Sequence, residues 1–329
     1  MQKFILVTAK ILISGALLYL ALRGVNVAAI LARMNQINPL WIAAAVMVTL
    51  LQIVLGAVRW RLITGPCGAP LTITQALRFN LIGSFFNQTL PSSIGGDAVR
   101  LWLLSRTGAG WRAATYSVLV DRAIGLIALA VIIVASLPWS WRLIGDARGR
   151  AALTLVDFAA LAAGLGFLVF GQIRWNFLAT WLPTRHIHAC AVLANRVVFD
   201  RERGPLIAIL SLMVHVLTVV IAWAVVRSIA APADFAQVFL LIPPIVLITM
   251  LPISIAGWGV REATMMMAFG YAGLPQADGL VVSLLYGAVS FLVGAFGGLV
   301  WVASAEKAAK GSATMELPQE EIGSGATAP

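Results

Sequence analysis

Long apolar runs separated by short polar stretches make up most of this chain, and they predict membrane-spanning helices. Six runs are long enough to cross the hydrocarbon core of a bilayer as helices. They cover residues 4–22, 39–58, 113–137, 151–171, 205–226 and 280–303. The first contains Lys10 and shows no small-residue cleavage pattern before Arg23, which favours an uncleaved anchor over a secretory signal.

Two further segments are apolar but interrupted, and they predict re-entrant hairpins that enter and leave the membrane on the same side. The segment 71–90 is too polar for a lipid-facing helix, because it holds Arg78, Asn80 and Asn87. The segment 235–251 is broken by adjacent prolines at 243 and 244. Unpaired backbone in a membrane must be buried in protein or line a wet cavity.

Each interrupted segment leads into the same motif, which reveals an internal repeat. Residues 90–101 read LPSSIGGDAVRL and residues 251–262 read LPISIAGWGVRE, identical at seven of twelve positions. The shift that places position 90 on position 251 also brings the spans of the first half onto those of the second. Each half then has three full spans, an odd number, so the second half is predicted to be inverted. Duplicated, broken elements of this kind are typical of transporters.

Composition supports an all-α integral membrane fold with six full spans plus two re-entrant hairpins arranged as two inverted repeats. Hydrophobic residues make up 60% of the chain, charged residues 11%, and the mean hydropathy is +0.94. No polar stretch is long enough for a separate catalytic domain. We expect one polytopic domain over 1–305, with repeats of about 4–140 and 151–303, and a disordered tail over 306–329.

The net charge of +10 indicates topology and anionic headgroups, since no nucleic-acid-binding pattern is present. With the N-terminus and C-terminus in the cytoplasm, inside segments carry 14 Lys and Arg and outside segments carry 7. That bias follows the positive-inside rule. Arg142, Arg148 and Arg150 are exceptions, because they fall in an outside segment. Cys67 and Cys190 lie far apart without metal-ligand spacing, so neither a disulfide nor a metal site is expected.

Charged residues inside the predicted membrane region need partners. Asp121 and Arg122 lie inside the span 113–137, where an unpaired charge costs roughly 2.5–3.5 kcal/mol. Adjacent helical residues point about 100° apart, so Arg122 is expected to pair with Asp97 or Glu262. The pair either fixes the fold or acts as a gate or proton relay.

The hairpin tips are candidate substrate contacts. Their prolines and glycines interrupt helix and allow close backbone approach; these residues are Pro91, Gly95, Gly96, Pro252, Gly257 and Gly259. Three serines, with nearby helix N-terminal amides, would face a phosphate headgroup; they are Ser92, Ser93 and Ser254. The alternative is that the tips are ordinary helix ends, with Asp97 as an N-cap.

Two arginines at equivalent repeat positions, Arg100 and Arg261, are the first candidates for binding the headgroup. A guanidinium grips a phosphate through two parallel hydrogen bonds. The alternatives are a topology charge for Arg100 and simple neutralisation of Glu262 for Arg261. Asn80 and Asn87 are seven positions apart and share a helical face, which would line the cavity or make interhelical hydrogen bonds.

Four ordered motifs resemble the flippase-like membrane domain of lysylphosphatidylglycerol synthases over residues 4 to 305. They are Asn80-x-x-Gly83-x-Phe85-Phe86-Asn87-Gln88-x-Leu90-Pro91, Gly95-Gly96-Asp97-x-x-Arg100, Asp121-Arg122-x-x-Gly125, and Pro252-x-Ser254-x-x-Gly257-x-Gly259-x-Arg261-Glu262. The resemblance implies a bacterial inner-membrane protein that handles aminoacylated phospholipids, cardiolipin, hopanoids or polyprenyl-linked sugars. The aminoacyl-transferase domain of full synthases is not found in this sequence, so lysyl-lipid synthesis is not expected.

The leading hypothesis is a transporter that moves a phosphate-bearing amphiphile between leaflets by alternating access, with a membrane lipid and lipid-synthesis enzymes as candidate partners. An alternative is a membrane-embedded transferase or accessory subunit with Asp97, Asp121 or Glu262 as acid or base. A third is a non-catalytic scaffold. No cofactor is expected: a Gly-Lys-Ser/Thr phosphate loop is missing, and His186 and His188 read as surface residues.

Overall fold

The computed structural model describes residues 37–90, 94–173, 182–250 and 258–304, and this part of the chain is helical without a strand. The helices are α1 Pro39–Thr64, α2 Ile73–Thr89, α3 Gly95–Leu104, α4 Gly110–Leu143, α5 Ala147–Phe170, α6 Leu182–Val198, α7 Gly204–Ser228, α8 Phe235–Thr249, α9 Val260–Tyr271 and α10 Gln276–Ala303. The predicted span 4–22, the tail 306–329 and six tip residues lie outside the described residues. Those six are Pro91, Ser92, Ser93, Pro252, Ser254 and Gly257.

Five helical stretches of the described chain are long and apolar enough to cross a membrane, which confirms a multi-pass all-helical membrane protein. They are Pro39–Thr64, Gly95–Leu143, Ala147–Phe170, Gly204–Ser228 and Gln276–Ala303. Each overlaps one predicted span, and all extend beyond it at one end or both. Helix α1, for example, begins where the Asn38 side chain accepts a hydrogen bond from the Leu40 amide and where Pro39 fits the first turn.

Each interrupted segment forms one helix, α2 or α8, and α8 continues through Pro243 and Pro244 instead of breaking there. Helix α2 starts with a capping box between Thr72 and Gln75, and α8 starts with one between Asp234 and Gln237. The 17 residues of α2 and the 15 residues of α8 rise only about 25 Å, less than the hydrocarbon thickness. Helix α2 then packs against α3, and α8 packs against α9.

A short π-helical segment, Ser105–Ala109, joins α3 to α4 and separates them as two elements. Gly108 has φ +93° and Gly110 has φ +74°, both in the left-handed region that favours glycine. These two residues allow the chain to turn out of the short α3 into the long span α4. The charged residues of α3 are thereby held beside those of α4.

The helices of the two halves are interleaved around a shared core. Helix α1 packs along α7, α2 packs on α10, and α8 packs on α4. Close approach of α2 and α10 depends on small residues, because a Cβ on Gly297 would lie 1.9 Å from the Leu81 carbonyl oxygen. One core cluster includes Val225, Val282 and Phe269 between α7, α9 and α10.

Helices α5 and α6 lie at the edge of this arrangement. Helix α5 packs on α4, α6 and α8, and its buried residues are Gly149, Leu153 and Asp157, spaced four apart along one stripe. Helix α6 occupies the predicted polar connection and buries Cys190 and Ala194 on one side while Ile187 is exposed. The remaining surface of α5 carries exposed apolar side chains such as Leu155, as a lipid-facing helix does.

Candidate functional site

A cavity of about 550 Å³ lies between the two halves of the chain. Residues from eight helices line it, α1 to α4 and α7 to α10. Several of the lining residues are charged arginines and aspartates. Others are apolar, namely Leu126, Val214, Ile242, Ile245, Val246, Met250 and Met265. The cavity therefore combines a polar and an apolar surface.

Five charged side chains from α1, α3 and α4 form one ion-pair network on the cavity wall. Asp121 accepts hydrogen bonds from Arg59 Nε at 3.0 Å and from Arg100 Nη2 at 3.1 Å. Asp97 accepts from Arg100 Nη1 at 3.2 Å and from Arg122 Nε. Arg122 is therefore bonded to one of the two partners that the sequence analysis named. With three arginines and two aspartates, the network carries one excess positive charge.

The arginines of this network differ in the exposure of their side chains. The side chains of Arg59 and Arg100 are each 10% exposed, whereas that of Arg122 is 40% exposed. Arg100 is held over the indole ring of Trp60, with its Cζ 4.1 Å from the ring centroid. Arg122 consequently has the most exposed side chain of this network, and it also lines the cavity.

A second charged centre, from α9 and α10, faces the same cavity. The fully buried Glu262 accepts hydrogen bonds from Arg261 Nη2 at 3.0 Å, Ser283 Oγ at 2.8 Å and the Gly259 amide at 2.6 Å. Gly259 has φ +84°, a left-handed conformation that favours glycine. Arg261 lines the cavity with its Cζ 5.0 Å from the ring centroid of Trp258. The neutralising contact with Glu262 that the sequence analysis allowed is therefore present.

The two arginines at equivalent repeat positions occupy related environments. Arg100, on α3, bonds to Asp121 on α4, and Arg261, on α9, bonds to Ser283 on α10. Helices α4 and α10 contain the predicted spans that correspond under the repeat shift. Arg100 and Arg261 thus approach one cavity from opposite halves of the chain.

The remaining predicted residues of the first tip have mainly packing contacts. Asn87 lines the cavity, and its Oδ1 accepts a hydrogen bond from the Gly96 amide at 2.9 Å. A Cβ on Gly96 would lie 2.1 Å from the Gly83 carbonyl oxygen, so this contact requires glycine. Gly95 begins α3. Asn80 lies on α2, partly buried and outside the lining of this cavity.

The alternative that Asp97 is an N-cap is wrong. Helix α3 has Ile94 at its N-cap position, which makes no side-chain capping bond, and Asp97 lies inside the first turn. Its carboxylate is occupied by Arg100 and Arg122 instead. A charge pair inside the membrane region outweighs a capping bond, because leaving either arginine without a partner would cost more free energy.

Three buried polar residues were missing from the sequence prediction. Arg59 follows the predicted span 39–58, but α1 continues to Thr64 and holds Arg59 in the cavity wall. His215 lines the cavity, and its Nε2 lies 2.8 Å from the Gly125 carbonyl oxygen. Asp157 lies away from the cavity on α5. An ionisable residue within an apolar run was the available signal for both His215 and Asp157.

The histidines and cysteines do not form a metal centre in the described part of the chain, where no group of three or more candidate ligands occurs. His186 Nδ1 lies 2.7 Å from the Tyr116 hydroxyl, and His188 Nε2 lies 2.8 Å from the Ile173 carbonyl oxygen. Cys67 and Cys190 are both buried and free. His186 and His188 connect α6 to α4 and to the end of α5, and neither is among the residues that line the cavity.

Comparison with known proteins identifies the family. Searches among curated proteins and among solved structures gave no significant match. The family model described as the lysylphosphatidylglycerol synthase TM region matches residues 7–298, which is most of the chain. That range contains both charged centres and every helix lining the cavity except the last residues of α10. The chain therefore belongs to the family of lysylphosphatidylglycerol synthase transmembrane regions, membrane domains linked to lipid handling.

Proposed function

We propose that this protein is a lipid transporter of the bacterial inner membrane that moves a phosphate-bearing amphiphile between leaflets. The observation that supports this most strongly is the cavity lined by both charged and apolar side chains. A phospholipid, a polyprenyl-linked lipid or a phosphate-bearing hopanoid likewise combines a charged and an apolar part. The family membership agrees with such a substrate.

The charge balance of the cavity favours an anionic headgroup. Four arginines, Arg59, Arg100, Arg122 and Arg261, are bonded to three carboxylates, Asp97, Asp121 and Glu262, which leaves one positive charge. An uncompensated charge in a low-dielectric site is costly, so an anion that binds there is stabilised. Arginine forks match phosphate oxygens in geometry as well as in charge.

Within this proposal, Arg122 and Arg261 contact the headgroup from the two halves, and the apolar wall receives the start of the lipid chain. Ser92, Ser93 and Ser254 belong to the proposed headgroup site as tip residues. Arg59 and Arg100 are more buried and act by holding Asp121, which in turn keeps α1, α3 and α4 together.

Alternating exposure of the cavity is supported by the interleaved packing. Helix α2 of the first half packs on α10 of the second, and α8 of the second packs on α4 of the first. Exchange of equivalent helices between halves supports an arrangement as two inverted repeats with re-entrant hairpins. In this proposal both termini lie in the cytoplasm. Rocking of one half against the other would then open the cavity to each leaflet in turn.

The alternative of a membrane-embedded transferase would use Asp97, Asp121 or Glu262 as an acid or base. Each of these carboxylates is bonded to at least one arginine, and Glu262 is fully buried. Both oxygens of each carboxylate already accept hydrogen bonds from groups of the protein itself. The geometry therefore favours binding and transport over proton-transfer chemistry.

A translocation assay with a matched pair of variants tests the proposal. Purified protein in proteoliposomes is given NBD-labelled phosphatidylglycerol or an NBD-labelled neutral glycolipid, and dithionite reports the label remaining in the outer leaflet. Arg122→Gln removes the guanidinium of the most exposed arginine side chain in the ion-pair network. Arg227→Gln removes that of an exposed arginine of α7 outside the cavity lining. Loss of one charged hydrogen-bond pair should lower the phosphatidylglycerol rate roughly tenfold or more for the Arg122 variant alone.

Three results would count against the proposal. Equal rates for the anionic and neutral probes, or equal effects of the two substitutions, would refute the proposed headgroup site. If folded wild-type protein translocated neither probe, the proposed transport function would be refuted. A new lipid species detected by mass spectrometry after incubation would instead support the transferase.

A further inference from the structure

Asp157 is a buried carboxyl group near the middle of a membrane-spanning helix. It is 1% exposed, and it follows Ala147 by ten positions, about 15 Å along the 24-residue helix α5. Neither carboxylate oxygen has a hydrogen-bond partner among the described residues. Asp157 completes the buried stripe of Gly149 and Leu153, where an apolar side chain would pack without a polar penalty.

The part of α4 that faces Asp157 provides no cation. Trp141 Nε1 donates to Thr154 Oγ1 at 2.8 Å, which fixes the register of the antiparallel helices α4 and α5. Asp157 lies three positions after Thr154 on α5, and Pro138 lies three positions before Trp141 on α4. Residues 134–138 are Val-Ala-Ser-Leu-Pro. Pro138 has no amide hydrogen, so the Val134 carbonyl lacks its usual helical donor.

The charged and titratable groups on the other surfaces packed against α5, among them Tyr271 of α9 beside Gly149, make no hydrogen bond to Asp157. Helix α8 contains none, and α6 meets the far end of α5, where Asn195 Nδ2 donates to the Leu168 carbonyl oxygen. On α4 the groups are Arg112, Tyr116, Asp121, Arg122 and Arg142; on α6 they are Arg185, His186, His188, Cys190 and Arg196; on α5 itself they are Arg148 and Arg150. None of these is hydrogen-bonded to Asp157.

A surface groove lies between α4 and α5 beside the helical stripe that contains Asp157, and Asp157 itself is not part of its lining. Its volume is about 570 Å³, and its lining includes Pro138, Arg150, Thr154 and Phe158. Phe158 is adjacent to Asp157 in the chain, and Thr154 is about one helical turn away. A small displacement of α5 against α4 would therefore connect Asp157 to the groove and to water.

We propose that Asp157 is a proton-binding site through which a proton gradient drives lipid movement, an inference that rests on the proposed transport function. The carboxylate takes one proton from water on one side of the membrane and becomes a neutral carboxylic acid; in the other exposure it returns the proton to water on the opposite side. Nothing is oxidised or reduced. The neutral form suits the closed packing of α5 on α4, and the charged form requires the groove to admit water.

The coupling is tested with a pH gradient across proteoliposomes and NBD-labelled phosphatidylglycerol as the probe. Asp157→Asn has the same shape but is permanently neutral, and Asp146→Asn is the matched control at the start of the same helix, where Asn replaces Asp equally well as an N-cap. Wild-type protein and the Asp146 variant should translocate faster with the gradient. The Asp157 variant should lose the whole gradient response, so that its rates with and without the gradient are equal. A gradient response equal to that of wild type would overturn the proposal.

A second measurement does not depend on transport or on a variant. Dicyclohexylcarbodiimide reacts with protonated carboxyl groups in apolar surroundings, and mass spectrometry of the wild-type protein locates the adduct. We expect labelling of the Asp157 peptide that falls as the pH is raised, with no labelling of the exposed Asp146. An unlabelled Asp157 would refute the proton site even if lipid transport is observed. Labelling of Asp157 without lipid transport would support the proton site and refute only the transport function.

Discussion

The partners of a buried aspartate should determine how far its replacement lowers the free energy of unfolding. Two aspartates of this chain allow a direct comparison. Asp121 is 3% exposed and is bonded to two arginines, whereas Asp157 is 1% exposed and has no hydrogen-bond partner among the described residues. Replacement by Asn keeps the shape of either side chain and removes its ability to be charged. The change at Asp121 raises the charge of the α1–α3–α4 network from +1 to +2.

The magnitude follows from the distances. Arg59 and Arg100 lie 3.0 and 3.1 Å from Asp121, and a unit charge pair at about 4 Å with an effective dielectric constant of about 20 is worth about 4 kcal/mol. Removing one partner of a buried pair costs about 3–5 kcal/mol. We therefore expect Asp121→Asn to lower the free energy of unfolding by about 3–5 kcal/mol. Asp157→Asn should change it by less than about 1 kcal/mol.

The assay is reversible unfolding in mixed micelles with increasing SDS, followed by circular dichroism, for both single variants. A double variant, Asp121→Asn with Arg59→Gln, restores the net charge of the network to +1 and should recover part of the lost stability. Equal costs for the two aspartates would refute the reasoning, as would a cost below about 1 kcal/mol at Asp121. Either result would mean that the ion pairs contribute little to the fold.

Two further predictions concern packing and thiol chemistry. Gly297→Ala should destabilise the protein by about 1–3 kcal/mol, because the added Cβ would meet the Leu81 carbonyl oxygen. Gly166→Ala, which faces open space on α5, should leave the stability unchanged or raise it. Thermal unfolding in detergent compares the stability of the two variants. Burial raises the pKa of the Cys67 thiol to about 12 and that of Cys190 to about 11, so both remain neutral thiols far above neutral pH. Maleimide labelling at mildly alkaline pH should therefore be slow in the folded protein and complete after SDS unfolding; rapid labelling of the folded protein would contradict the burial of either thiol.

The spans were predictable because the membrane imposes a length and a hydropathy on each one. The predicted 39–58, 205–226 and 280–303 all lie within observed helices. Their ends were less predictable, since a polar residue at the end of an apolar run can stop a helix or continue it inside the protein. Arg59 shows the second case: it follows a long apolar run, yet α1 continues beyond it to Thr64.

The candidate site was predictable where two signals coincided. Arg100 and Arg261 combined a charge in an apolar setting with the internal repeat, and both line the cavity. Asp157 carried the first signal only and was not selected. The neighbours of a charge cannot be derived from one chain position, because the partner of Asp121 on α1 is 62 residues away in the sequence.

The interleaving of the helices also sets the order in which the molecule can be assembled during synthesis. Helix α2 ends at Thr89, whereas its packing partner α10 begins only at Gln276, more than half the chain later. At about 5–20 residues per second, the ribosome needs about 10–40 s to supply that partner. Throughout that interval the polar side chains of α2 lack the helix that packs against them in the complete fold. The nascent chain therefore passes through an intermediate with an unfinished membrane core, and only the last span completes it.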